Sequence, residues 1–111
     1  MNDSIHDLIR HARTTSQPEA SALPHATIRD LIDARAYTTG PWLTYLDEGV
    51  RMELPYTAFV RLVRRVAAAL TSFGLHPGDR IATIAHNHWQ TVVAYAAAWY
   101  AGLTVVPVNI G

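Results

Sequence analysis

From residue 81 to residue 111 the chain contains no Asp, Glu, Lys or Arg. An uncharged run of that length exceeds the ~18 residues needed to span a bilayer, so it must either enter a membrane or be covered by other protein. Its content argues for covering. His86, Asn87, His88 and Gln90 crowd its start, alanine dominates its middle, and Gly102 and Pro107 break its end, so bilayer insertion would be weakly driven. Residues 80–85 read as a strand, 88–101 as a helix and 104–108 as a second strand, with Pro77-Gly78-Asp79 turning into the first. That order is one βαβ unit, whose strands should be parallel and whose crossover should be right-handed. Small side chains at 94–98, interrupted only by Tyr95, should let the helix lie close on the sheet.

The preceding residues supply further elements. Residues 4–13 predict a surface helix, with Ser4 as N-cap and Ile5, Leu8, Ile9 and Ala12 on one side. The stretch from Thr14 to Ser21 lacks an apolar period and reads as a linker, extended by Pro24 and His25. Thr27, with Asp30 three residues on, resembles a capping box. It should open a helix whose buried stripe is Ile28, Leu31, Ile32 and Ala36, ending at Gly40-Pro41. Residues 42–46 and 51–54 read as a hairpin around Asp47-Glu48-Gly49. The next helix, 56–73, should bury Phe59, Leu62, Val63, Val66, Leu70 and Phe73 and present Arg61, Arg64 and Arg65 to solvent, with Gly74 as its left-handed cap.

Several chemistries are excluded within these residues. Nine basic and nine acidic residues balance to a net charge of zero, so no electrostatic footprint points to nucleic acid. The absence of cysteine removes disulfides and thiolate chemistry, and fits a cytoplasmic setting. Every basic residue is arginine, so the chain holds no lysine phosphate loop, Schiff base or lysine general base. His86 and His88 are two potential metal ligands without a third nearby and read as loop residues. No Gly-x-Gly-x-x-Gly follows residue 85, which argues against a dinucleotide site. The arginines of the long helix read as a solvated face, not as phosphate ligands.

Four short motifs stand in a fixed order: Leu54-Pro55-Tyr56-Thr57-Ala58-Phe59, Gly78-Asp79-Arg80 leading into Ile81-Ala82-Thr83-Ile84, Asn87, and Ala101-Gly102 followed by Val105-Val106-Pro107-Val108-Asn109. Over residues 42–109 they resemble the N-terminal part of the AMP-forming acyl-CoA synthetase (AMP-dependent synthetase/ligase, adenylate-forming) superfamily. The first motif departs from the family pattern: Pro55 replaces a capping Thr and Ala58 a Glu, leaving Thr57 as the candidate cap. Asn109 leans towards the acyl-CoA and aryl-CoA synthetases, since peptide-synthetase adenylation domains tend to carry Asp there.

The resemblance implies an α/β fold in which this chain is the N-terminal part of a larger doubly wound subdomain, with one β-hairpin and one right-handed βαβ unit. Residues 1–26 would be an N-terminal helix and linker, and residues 27–111 the N-terminal portion of an AMP-binding domain. It implies a cytoplasmic ATP-dependent carboxylic acid:CoA ligase of fatty acid metabolism that works through an acyl-adenylate, using ATP, magnesium (Mg2+) and CoA. The family's phosphate loop, adenine motif, ribose-binding Asp and catalytic Lys would lie downstream of residue 111. No catalytic, cofactor-binding or metal residue is therefore assigned within the chain, and the 111 residues alone should be inactive. Carboxylic acid would bind through the downstream chain; nucleic acid and stable membrane insertion are not expected. The uncovered strand from Val105 to Ile110 should promote self-association. Two rival readings are a non-catalytic small α/β interaction module and a membrane-associated protein using residues 81–111.

Overall fold

The structure is a computed structural model that describes residues 2–14 and 25–109, with side chains for residues 5–11 and 25–109. The elements are α1 (Asn2–Thr14), α2 (Ile28–Asp33), β1 (Pro41–Asp47), β2 (Val50–Pro55), α3 (Tyr56–Ser72), β3 (Arg80–Ile84), α4 (Trp89–Tyr100) and β4 (Thr104–Val108). The mixed α/β reading holds: β1 and β2 pair antiparallel, and β3 and β4 pair parallel across α4. The linker reading from Thr15 to Pro24, the Ser4 and Ala12 side chains, and Ile110 lie outside the described residues.

The hairpin closes where turn chemistry placed it. Glu48 and Gly49 both take positive φ, 45° and 80°, the two-residue turn that matches strand twist. From β2 the chain passes directly into α3. Pro55 is the N-cap and contributes no side-chain hydrogen bond, so Thr57 lies inside the helix and does not cap it. At the other end Gly74 adopts φ 93°, the left-handed position expected of it.

Two helices differ from their sequence patterns. The capping bond at α2 forms, with the Asp30 backbone N–H donating to Thr27 Oγ1 at 3.0 Å, but the helix ends at Asp33 and turns carry the chain to the hairpin. A helix of fewer than two turns can present few residues inward, so Ile32 is buried while Ile28 and Leu31 stay exposed. In α3 the buried line is Phe59, Val60, Val63 and Ala67. Leu62, Val66 and Leu70 are half-buried, and Phe73 is 86% exposed. The inward face is thus rotated towards Val60 and Ala67, because α3 packs on α4 and close helix approach selects small side chains at the seam.

α4 contributes Val93, Ala96 and Ala97 to this shared core, with Ala98 also buried. Its other side meets the β3–β4 sheet, where Thr83 Oγ1 donates to the Tyr95 hydroxyl at 3.2 Å. The sheet's helix-side positions Ile81, Thr83 and Val105 are half-buried. Its far face carries Ala82, Ile84, Val106 and Val108 in paired register, all exposed.

The motifs flanking the βαβ unit meet in space. The Gly78 N–H donates to the Gly102 carbonyl at 2.8 Å, and the Thr104 N–H to the Asp79 carbonyl at 2.9 Å. Gly102 takes φ 78°, and a Cβ there would lie 3.2 Å from Pro77 Cβ. Only glycine fits both demands without strain.

Candidate functional site

A cleft of about 420 Å³ opens between the hairpin and the start of the βαβ unit. One wall comes from Trp42, Leu43 and Tyr45 of β1; the opposite wall comes from Trp89, Val92, Tyr95, Ala96 and Trp99 of α4. The floor and rim are the segment from Ala85 to His88, which leaves the carboxyl end of β3, where open α/β sheets place their ligand crevices.

The walls are held by specific contacts. Trp42 stacks on buried Phe59 with centroids 3.7 Å apart and planes 10° off parallel. Tyr45 meets His88 at 4.9 Å, and Tyr95 meets Trp99 edge-on at 6.1 Å. Thr91 fixes the rim: its Oγ1 donates to the His86 carbonyl at 2.9 Å and its N–H to the His88 carbonyl at 3.1 Å. Desolvation by its neighbours, aided by the Asp47 carboxylate, pushes the Tyr45 phenol up from its ordinary value.

His86 is exposed and His88 half-buried against aromatic rings. Among the described residues no group of three or more His, Asp or Glu side chains converges as a metal would require. The cleft lining carries no Asp, Glu, Lys or Arg. It therefore does not suit magnesium, which prefers carboxylate oxygens.

Arg61 and Arg65 are exposed on α3, as the pattern implied, but Arg64 is engaged. Its Nε and Nη2 donate to Asp33 Oδ1 at 3.1 and 2.9 Å, and the Tyr100 hydroxyl donates to the same oxygen at 2.8 Å. Arg29 lies over the Tyr100 ring at 4.7 Å. Three helices thus share one carboxylate. Desolvation raises the Asp33 carboxyl, but the bonds from Tyr100 and Arg64 and the charges of Arg64 and Arg29 outweigh it and hold it below the ordinary aspartate value. The Arg64 guanidinium is raised in turn, first by its bond to Asp33. Sequence reading missed this network because its members lie far apart in the chain. It also missed the cleft, whose tryptophans come from β1 and both ends of α4.

Comparison with solved structures recovers the same architecture. A fatty acyl-adenylate ligase from Legionella pneumophila superposes with a TM-score of 0.73 at 22% identity, over 84% of this chain and 17% of that one. A Mycobacterium tuberculosis fatty acyl CoA synthetase gives 0.63 at 25% identity, over 75% of this chain and 16% of that one. The AMP-binding enzyme family matches residues 32–111, and the chain belongs to that family. Among curated relatives, methyl-dioxo-octahydro-indenyl-propanoyl:CoA ligases are 41% identical over 58 residues in Rhodococcus jostii and 38% over 76 residues in Mycobacterium tuberculosis. These alignments cover 52% and 58% of this chain and only 11% and 15% of those proteins. No helix among the described residues is long and apolar enough to cross a membrane.

Proposed function

We propose that this chain is the N-terminal portion of an ATP-dependent carboxylic acid:CoA ligase that works through an acyl-adenylate. The observation that carries the reading is the family match over residues 32–111, the span that contains both the hairpin and the βαβ unit. Residues 27–111 form the first part of the AMP-binding domain, and residues 1–26 an appended helix and linker. ATP, magnesium and CoA belong to other residues of the whole enzyme, in the cytoplasm. The role of these residues is to build the scaffold, and the bare β3–β4 face is where the rest of the domain packs. Alone, the 111 residues carry out neither half of the reaction and associate through that face. The names of the relatives suggest an acid with a fused-ring body.

The test is a chimera in which residues 32–111 replace the matched segment of the Mycobacterium tuberculosis relative. Acid-dependent exchange of pyrophosphate into ATP is expected from the chimera, and none from residues 1–111 alone. A folded chimera without exchange would contradict the reading and favour a small interaction module, which would carry the same exposed apolar face.

A further inference from the structure

α2 is six residues long and buries Ile32 alone, while Ile28 and Leu31 stay exposed. A helix so short does not hold its shape in water without docking, and one buried side chain is a small apolar anchor for it. The rest of its hold is polar and gathers on Asp33. One oxygen of that carboxylate accepts three bonds, two from the Arg64 guanidinium of α3 and one from the Tyr100 hydroxyl at the end of α4. Arg29, one turn before Asp33 on α2, lies over the face of the same Tyr100 ring. We infer that α2 is a latch: it docks on α3 and α4 and releases from them as a unit while the rest of the fold stays formed, with the Asp33 carboxylate as its pin.

The pin and the seam beneath it are held by different forces, and that difference lets one open without the other. The Asp33 and Arg64 side chains are both partly open to water, so salt screens their attraction and water competes for their bonds. The α3–α4 seam is apolar and closed, with Val63 and Ala97 fully buried, and screening does not loosen it. The chain also has a place to bend. After α2 it runs through turns bonded within themselves, the Ala36 N–H to the Asp33 carbonyl and the Thr38 N–H to the Arg35 carbonyl, both at 3.1 Å. The Gly40 carbonyl then accepts from the Tyr56 N–H at 3.2 Å, which fixes the chain at the base of the hairpin. Gly40 sits at φ 97°, so residues 34–40 can absorb a movement of α2 with the hairpin left in register. Release uncovers Tyr100 and the part of the core that Ile32 closes. The inference stands on these contacts and is independent of the ligase reading.

Amide hydrogen exchange in the 111-residue chain, resolved by residue, reads the latch directly. The N–H groups of Leu31 and Ala34, which donate to the Thr27 and Asp30 carbonyls, report on α2, and those of Val63 and Ala67 on the seam. Relative to their intrinsic rates, Leu31 and Ala34 should exchange about tenfold or more faster than Val63 and Ala67. Sodium chloride at about 1 M should speed the α2 amides about threefold and the seam amides not at all. Asp33→Asn keeps the shape of the side chain and removes its charge, and should speed the α2 amides about tenfold. Tyr100→Phe, which removes one of the three bonds, should speed them about threefold, and Arg61→Ala, on α3 outside the network, should leave them unchanged. If Asp33→Asn speeds α2 and seam amides by one common factor, α2 opens only with the whole fold and the latch is overturned. The same follows if α2 amides are as well protected as the seam, or if salt and Asp33→Asn both leave Leu31 and Ala34 unmoved. Should Asp33→Asn not fold, the salt response of the unaltered chain decides alone.

Discussion

The seam between α3 and α4 and the far face of the β3–β4 sheet are equally apolar, yet one is closed and the other bare. Val63 in the seam is 0% exposed, whereas Ile84 on the sheet is 71% exposed. The seam closes because each helix meets the other's small side chains: Ala67 on α3, Ala96 and Ala97 on α4. Among the described residues the helix that packs on this sheet, α4, lies on its other face, where Tyr95 meets Thr83. Apolar character therefore records that a surface needs cover, not which part of the chain supplies it. A parallel sheet is ordinarily covered on both faces, which supports the proposed reading of the bare face as a joining surface.

Substitutions should separate the two regions. The largest effect is expected from Val63→Asp, which buries a carboxylate without a partner and should cost about 3 kcal/mol or more, read as a collapsed thermal or urea transition. Leu62→Asp, from a half-buried position, should cost less than Val63→Asp. Gly102→Ala should cost about 1–3 kcal/mol, because the positive φ and the approach of Pro77 both resist a Cβ.

Arg64→Ala comes next, at about 0.5–1 kcal/mol, since the pair with Asp33 is partly open to solvent and screened. Its pH dependence follows from the lowered Asp33 value. A carboxyl depressed on folding stabilises above its unfolded value, near ~3.9, and that contribution fades as pH falls through the folded value. The gap between wild type and Arg64→Ala should thus narrow below about pH 3.9 in urea melts. Smallest is Ile84→Asp, within about 0.5 kcal/mol in the isolated chain. The same variant should reduce self-association in size-exclusion chromatography with light scattering, because a charge now interrupts the apolar face.

Local signals in the sequence located most elements. Asp47-Glu48-Gly49 marked the hairpin turn, Gly74 the end of α3, and Gly78 and Gly102 the two turns that meet beneath the βαβ unit. What local pattern could not supply was the orientation of α3. Large apolar residues, Leu62, Leu70 and Phe73, suggested one inward face, but close packing on α4 selected Val60 and Ala67. Nor could periodicity show that Arg64 reaches Asp33 and Tyr100, or that β1 brings Trp42 opposite Trp89 and Trp99. Those relations arise from tertiary packing between segments with no shared period.

The central claim is that the bare β3–β4 face is a joining surface of an adenylate-forming ligase, and Ile84→Asp tests it most directly. Its effect on the melting transition is to be measured in the 111-residue chain and in the chimera that carries residues 32–111. The account predicts near-neutrality in the chain and a loss of about 3 kcal/mol or more in the chimera, where the new carboxylate would be buried by the adjoining protein. An equally small effect in both would show that the face stays open in the larger enzyme and would contradict the account.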